Sequence, residues 1–332
     1  MRRAPAVVAG VFLVTLLAAL PLATAVRGMI ETSLGRSLRA DAVADGVDND
    51  WWQEFTAQAS GLGTTFTPSV IGFASTLDSV SSVLDARRPQ GQVAGALAIY
   101  LAVWTFLSGG ILDRYARQRP TRAHGFFAAA GVFFWRLLRL AAVAGIVYWF
   151  LFTYMHQWLF DDLYTRLTRD LAVERSAFLW RAALYVLFGS MLIATTLIFD
   201  YARVRMVVED RRSAIGSLVA ALGFIVRRRG RVVGLYALNS LVFVVLIGLW
   251  ALVAPGAGGA GFSMWVGFVL SQAYLLARLL LKLQFMASQT AIFQASLAHA
   301  RYTAAPEPVW PESPEAERMA GPPSAAPALR RS

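Results

Sequence analysis

The polar residues best placed to do chemistry lie inside the apolar stretches of the chain. Asn239 falls in one such stretch, and Gln272, Arg278 and Lys282 fall in the last one. A polar group inside a membrane is costly and is by default a functional candidate. These four residues therefore form a predicted intramembrane polar site. Arg278 and Lys282 share a helix face, and two roles stay open for them: snorkelling to the interface, or contact with an anion or a lipid phosphate.

Two aspartates follow apolar stretches at corresponding points, and each is followed by arginines where the chain returns to the membrane. We predict that each aspartate forms an ion pair that closes a helical hairpin. Partial burial would raise the value of such a pair above the ~0–1 kcal/mol of an exposed one. A proton or substrate site is the alternative. The predicted pairs are Asp113 with Arg136 and Arg139, and Asp200 with Arg228 and Arg231.

Other kinds of site lack support. The three histidines, His124, His156 and His299, do not cluster, and the chain has no cysteine, so a metal site is not expected. The glycine-rich stretches 61–63 and 256–259 have no following Lys-Ser/Thr and are typical of turns, not of phosphate loops. We expect no catalytic residue and no cofactor.

The composition indicates a membrane protein. Hydrophobic residues make up 57% of the 332 and charged residues only 15%, whereas soluble chains have about 45–50% and about 25%. The apolar residues are concentrated in stretches of about 20, the length that crosses a bilayer core. The net charge of +11 comes from arginines beside these stretches, so nucleic acid is not an expected partner. The sequence predicts an all-α bundle of about six spans.

The first stretch leaves two alternatives open. Residues 23–25 have the small-x-small form of a signal-peptide cleavage site, but the apolar part exceeds the usual 7–15 residues. Residues 1–26 are therefore predicted to be a retained helix, with a cleaved signal peptide as the alternative. The other spans are predicted at about 93–112, 140–159, 178–199 and 232–253, and the last begins at 262 and continues as one helix past the membrane to about 299.

The charges of the loops predict the orientation. Segment 27–90 has five arginines against eight acidic residues, and loop 161–175 has three against four. Loop 113–122 has four arginines against one aspartate, and segment 200–231 has eight arginines against three acids. By the positive-inside rule, both termini are cytoplasmic.

The predicted domains follow from this topology. Residues 27–90 form an extracytoplasmic segment with helices near 30–42 and 70–86 around an irregular stretch at 61–68. Residues 91–299 form a five-helix membrane domain in which cytoplasmic interfacial helices lie near 124–137 and 202–226, the latter from apolar residues at three- and four-residue steps. Residues 300–332, rich in Pro, Ala and Glu, are predicted to be a disordered cytoplasmic tail.

Two segments of the chain are similar in sequence. ILDRYAR at 111–117 is similar to IFDYAR at 198–203, and an apolar segment with an arginine cluster follows each. One interpretation is a parallel duplicated hairpin, formed by spans 2–3 and 4–5, as some transporters have. The other is that apolar helices with interfacial arginines look alike.

Three motifs carry a family resemblance: GGILDRYAR at 109–117, FWRLLRL at 134–140 and DYAR at 200–203. They resemble uncharacterised six-helix bacterial membrane proteins that are similar to the membrane domain of glycerophosphodiester phosphodiesterases. The resemblance covers roughly residues 92–298 and implies fold and membrane location only. The sequence has no stretch for the soluble barrel domain, so we expect no phosphodiesterase activity.

We expect a non-enzymatic multi-pass protein of a bacterial inner membrane that acts as a scaffold, assembly factor or regulator. Its expected partners are the bilayer with its anionic inner-leaflet lipids and a membrane or envelope protein. A transporter or lipid-handling protein is the alternative.

Overall fold

The computed structural model describes residues 5–46, 48–66, 72–87, 91–117, 122–171, 173–255 and 261–299. Every regular element in this part is helical, and six helical spans are long and apolar enough to cross a membrane. The predicted all-α class is confirmed, and six such helices indicate a multi-pass membrane protein. In chain order the helices are α1 (Pro5–Leu34), α2 (Ala40–Asp45), α3 (Asn49–Gln58), α4 (Gly72–Leu84), α5 (Gly91–Arg117), α6 (Ala123–Phe150), α7 (Tyr164–Thr168), α8 (Glu174–Val208), α9 (Ala214–Arg227), α10 (Arg229–Val253) and α11 (Phe262–His299). The predicted tail at 300–332 lies outside the described residues.

The first helix is longer than predicted. The predicted span ends at residue 26, whereas α1 continues to Leu34. Arg27 and Glu31 pair at 2.7 Å, and an i,i+4 pair of this kind supports the added turns. The predicted separate helix near 30–42 is therefore wrong, because residues 30–34 belong to α1 and α2 begins only at Ala40.

A small aromatic core packs beside the C-terminal end of α1. The rings of Trp51 and Phe55 stack at 5.3 Å between centroids, and Phe66 meets Phe55 edge to face at 5.8 Å. Gly63 lies in a 3₁₀ turn, Gly61–Thr65, so close to Met29 that an added Cβ would be 3.3 Å from its sulfur. The turn occupies the stretch predicted to be irregular, and α4 matches the predicted helix near 70–86.

α5 and α6 form a tight antiparallel hairpin. An ideal Cβ on Gly110 would lie 2.8 Å from the carbonyl oxygen of Phe126, and one on Gly109 would lie 3.1 Å from Cβ of Phe133. Real Cβ atoms do not tolerate the first of these distances. Glycine at 110 therefore sets how closely the two helices approach.

The structure differs from the prediction at α6, where the sequence predicted an interfacial helix near 124–137 followed by a separate span at 140–159. One α-helix runs unbroken from Ala123 to Phe150. Leu137 and Leu140 are both buried on the same packed face, so nothing separates the two predicted pieces. Beyond Phe150 the chain continues through two π-helical segments, Leu151–Met155 and Trp158–Leu163, into α7. π-segments of this kind are uncommon in helices.

The segment near 202–226 is also divided differently from the prediction, because α8 continues to Val208. It ends in a Schellman motif in which Asp210 is left-handed (φ 50°) and the Arg211 N–H donates to the Met206 carbonyl at 3.0 Å. α9 then begins behind Ser213, whose hydroxyl accepts from the Gly216 N–H at 3.1 Å. Only the second half of the predicted interfacial helix is a separate element.

The main core lies at one end of the bundle, which we call the Arg-rich end. Buried side chains of α5, α6, α8, α9 and α11 meet there, together with Val7 and Val11 of α1. A smaller core at the opposite end contains Leu151, Leu159, Leu184 and Phe188. The arginines that mark the Arg-rich end are Arg114, Arg117, Arg205, Arg211, Arg212, Arg227, Arg228, Arg229 and Arg231.

The two halves of the predicted repeat are similar only in part. α8 packs against α9 as α5 packs against the beginning of α6. In the first half the helix then continues as the span, whereas in the second half it breaks at Arg228 before α10 begins.

Candidate functional site

The candidate site lies where α8 meets α11. Asp200 forms an ion pair with Arg203, one turn further along α8. On its other oxygen it accepts a hydrogen bond from Gln289 Nε2 of α11 at 3.2 Å. The Asp200 side chain is 14% exposed, so both oxygens are held in a largely dry environment. A buried carboxylate needs such partners, because an unpaired charge there is costly.

Two tyrosines extend this polar cluster towards α6 and α10. Tyr148 of α6 shares a hydrogen bond of 2.7 Å with Thr196 of α8. Tyr236 of α10 packs edge to face on Phe285, with 5.4 Å between ring centroids. Both phenols lie within electrostatic range of Asp200. Four of the long helices therefore contribute polar groups to one region of the bundle interior.

The predicted partners of the two aspartates are wrong. Asp113 pairs with Arg117 at 2.8 Å, and Asp200 pairs with Arg203. Arg136 instead pairs with Asp210, and Arg139 donates to the carbonyl of Arg212 at 3.2 Å. The physical reason is distance, because side chains three or four residues apart on a helix lie on the same face within ion-pair distance of each other.

The arginines that precede α10 also have different roles from those predicted. Arg228 Nη2 lies 3.5 Å from the Ser296 carbonyl, near the end of α11. Arg231 is exposed. Neither forms an ion pair with Asp200, because α11 supplies Gln289 at that position.

The four residues of the predicted intramembrane polar site do not form one site. Asn239 is buried and donates from Nδ2 to Ser288 Oγ at 2.9 Å. Gln272 is half-buried and precedes Lys282 by ten residues, about 15 Å along the helix axis. Only Arg278 and Lys282 remain neighbours.

Lys282 and Arg278 lie over aromatic rings. Lys282 Nζ is 3.4 Å from the centroid of the Trp104 ring and 5.7 Å from that of Tyr100, both on α5. The Arg278 guanidinium is 5.6 Å from the ring centroid of Tyr274, which itself stacks on Trp250 at 4.4 Å. Among the described residues, no carboxylate lies within ion-pair distance of either cation.

A further ionic cluster at the Arg-rich end was missed by the sequence reasoning. Arg205 pairs with Glu209 at 2.7 Å, and Glu209 also pairs with Arg211. Arg205 in addition donates to the Ala220 carbonyl and lies 5.4 Å from the Phe293 ring centroid. The i,i+4 spacing of Arg205 and Glu209 was a usable signal. The cluster ties α8, α9 and α11 together.

A second missed cluster joins α4 to the opposite end of the bundle. The Tyr185 hydroxyl donates to Asp85 Oδ1 at 2.6 Å, and Ser81 Oγ donates to Oδ2 at 2.7 Å. The Tyr185 hydrogen bond is the largest influence that holds the pKa of the Asp85 carboxyl below its usual value of 3.8. Nearby, His156 Nε2 is hydrogen-bonded to the Leu84 carbonyl at 2.9 Å. Because 100 residues separate Asp85 from Tyr185, no local pattern could have indicated the contact.

Two concavities of about 260 Å³ and 220 Å³ lie on the α10–α11 hairpin. Both are lined almost wholly by apolar side chains such as Trp265, Val269 and Leu249. The described residues also contain no group of three or more potential metal ligands.

Comparisons with known proteins give no match: no family model, no curated protein and no solved structure is similar to this chain. The resemblance to the membrane domain of glycerophosphodiester phosphodiesterases therefore stays a prediction.

Proposed function

We propose that this chain is a non-enzymatic multi-pass protein of a bacterial inner membrane, serving as a scaffold, assembly factor or regulator. The observation that supports it most is the state of the bundle interior. Asp200 and Asn239 bond to other side chains of the bundle, at Arg203, Gln289 and Ser288, so these polar groups are satisfied within the bundle. Satisfied networks of this kind hold helices in one arrangement.

The proposed orientation has the Arg-rich end in the cytoplasm, with both termini there. Contacts at two depths support a common direction for three spans. Going along α11, Gln289 and then Phe293 contact Asp200 and then Arg205 of α8. Likewise, Lys282 and then Gln294 contact Trp104 and then Ala116 of α5. Arginines flank these spans at the same end. The positive-inside rule then assigns that end to the cytoplasm.

Two short helices at opposite ends are the proposed contact surfaces. Each carries four exposed apolar side chains at helical spacing, although its other face packs on the bundle. The neighbours of α9 are arginines, which suit an anionic inner leaflet. The exposed stripe of α4 is Phe73, Leu77, Val80 and Val83, and that of α9 is Ile215, Val219, Leu222 and Val226.

Site-specific photo-crosslinking in cells tests the proposal. A photo-reactive residue at Val219 of α9 or Val80 of α4 should give a discrete protein adduct. The matched control is Leu252, an exposed apolar residue of α10 (83%), which should give only lipid adducts. Lipid adducts alone at all three positions would contradict the scaffold proposal.

A transporter or lipid-handling protein is the second candidate function. Lys282 favours it, because an ammonium without a carboxylate partner in a membrane span is a typical feature of a solute or ion pathway. On this alternative the duplicated hairpin would surround the pathway. The two candidate functions differ in whether water enters the bundle interior: a transporter requires a water-filled pathway, and a scaffold does not.

A further inference from the structure

Lys282 lies level with the middle of the neighbouring spans. Its ammonium contacts Trp104, which is the central residue of α5. Two contacts set the register of α11 against α10 and lie on either side of Lys282, namely Ser288 with Asn239 and Tyr274 with Trp250. Lys282 is therefore placed near the centre of the hydrocarbon core. A charge at this depth is costly unless a partner neutralises it.

Among the described residues, no carboxylate is free to neutralise Lys282. No acidic residue occurs in α6, α10 or α11. The acidic residue that acts on Lys282 electrostatically is Asp200, and its two oxygens are already bonded to Arg203 and Gln289. Arg203 and Arg278 add positive charge to the surroundings of Lys282. This part of the bundle therefore carries an excess of positive charge.

The packed face of α5 becomes uncovered beside Lys282. Four residues follow one another on this face at three- and four-residue steps: Leu97, Tyr100, Trp104 and Leu107. Leu107 (3%) and Trp104 are buried, whereas Tyr100 and Leu97 (47%) are exposed. The change falls at Trp104, where α5 contacts Lys282. This face of α5 is therefore packed at the Arg-rich end and uncovered in the opposite half of the bundle.

The face of α11 that carries Lys282 changes in the same way. Residues four and seven positions from Lys282 share this face. Towards the Arg-rich end these are Met286 and Gln289, which are buried, and in the other direction they are Leu275 and Arg278, which are exposed. The uncovered faces of α5 and α11 meet at Lys282. We call them together the α5–α11 groove, and its exposed residues are Leu97, Tyr100, Leu275 and Arg278.

We propose that a transmembrane helix of a partner protein docks in the α5–α11 groove and places a carboxylate against Lys282. The apolar residues of the groove suit a membrane helix, and the excess positive charge suits an acidic residue near the centre of that helix. A second copy of this chain is not the proposed occupant, because Asp113 and Asp200 of its own spans are already paired. This inference rests on the scaffold proposal and names the chemistry of one partner.

Two synthetic transmembrane peptides of leucine and alanine test the groove, one with a central glutamate and one with a central glutamine. Energy transfer from a labelled peptide to a fluorophore on Ala123→Cys of the full chain in lipid vesicles measures binding. The glutamate peptide should bind about tenfold more tightly, as expected for a charged hydrogen bond. Lys282→Gln should remove this difference, and Lys282→Arg should keep most of it. The matched control Arg231→Gln should also keep it, because Arg231 is an exposed arginine outside the groove.

Three outcomes would overturn the proposal: equal binding of the two peptides to the wild type, binding of neither peptide, or a preference for glutamate that persists in Lys282→Gln. The comparison of the two peptides on the wild type needs no substitution at Lys282, so it decides the matter even if Lys282→Gln does not fold. The photo-crosslinks at α4 and α9 are independent of the groove, so a failure of the scaffold proposal is distinguishable from a failure of this one.

Discussion

Gln289 of α11 donates a hydrogen bond to Asp200 of α8 at 3.2 Å, while Arg203 holds the other oxygen of the same carboxylate. Two spans far apart in the sequence are thereby fixed at one depth. These contacts explain why the Asp200 carboxylate can remain largely buried. Arg203 on the same helix neutralises its charge, and Gln289 on a neighbouring helix fixes the orientation of the carboxylate.

Asp200→Asn should destabilise the bundle, because it leaves Arg203 without its counter-ion. Breaking a fully buried pair costs about 3–5 kcal/mol, and the partial exposure of Arg203 (33%) reduces our expectation to about 1–3 kcal/mol. Thermal unfolding in detergent and the folded yield measure the effect.

The matched control for this substitution is Glu31→Gln. Glu31 also pairs with an arginine of its own helix, Arg27, but the two side chains are 59% and 77% exposed, and an exposed pair contributes about 0–1 kcal/mol. Equal losses in the two variants would argue against a special role for the Asp200 pair.

Gly110→Ala should force α5 and α6 apart. The added Cβ would meet the Phe126 carbonyl oxygen at 2.8 Å, and overpacking of this kind costs about 1–3 kcal/mol. Gly95→Ala, on the same helix with nothing within 4 Å of its Cβ, should instead stabilise by about 0.5–1 kcal/mol. Melting temperatures that rise in both variants would contradict the close approach.

Tyr185→Phe should make the docking of α4 less stable in a pH-dependent way. Since the pKa of Asp85 is lowered in the folded state, its stabilising contribution is present above the usual aspartate pKa and is lost as the pH falls through the lowered value. The difference in stability between wild type and Tyr185→Phe should therefore be present at pH 7 and shrink below about pH 4. A difference that does not change with pH would show that Asp85 is not the partner that matters.

Reporter fusions test the orientation. Fusions at residues 120 and 215 should report a cytoplasmic position, and those at 60 and 168 an exported one, because arginines are concentrated in the first two regions. An exported signal at 120 or 215 would overturn the proposed topology.

The long helices were predictable because length and apolar content are local properties. α4 and the continuation of α11 to His299 were predicted for the same reason. The continuity of α6 was missed because arginine at mid-bilayer is costly, and this favoured a break that would place Arg136 and Arg139 at the interface. In the structure Asp210 pairs with Arg136 instead. No charge pattern within either segment indicates that contact.

The partners within the candidate site were much less predictable. The sequence indicated Asp200 as a candidate residue but predicted Arg228 and Arg231 as its partners. In the structure its partner is Arg203, one turn further along the same helix. Gln289 could not be assigned, since the relative depth of α8 and α11 depends on packing across the bundle. The contacts of Lys282 with Trp104 and of Tyr185 with Asp85 likewise depend on tertiary structure.

The closed interior is the central claim, and the absence of cysteine from the sequence makes it directly measurable. Single substitutions Ser288→Cys, beside Asn239, and Thr32→Cys and Ala123→Cys, at exposed positions near the two ends, would be treated with a charged, membrane-impermeant thiol reagent. In cells the reagent should label Thr32→Cys, in inverted vesicles Ala123→Cys, and in neither preparation Ser288→Cys. Labelling of Ser288→Cys at a rate comparable to either control would show a water-filled pathway and contradict the account.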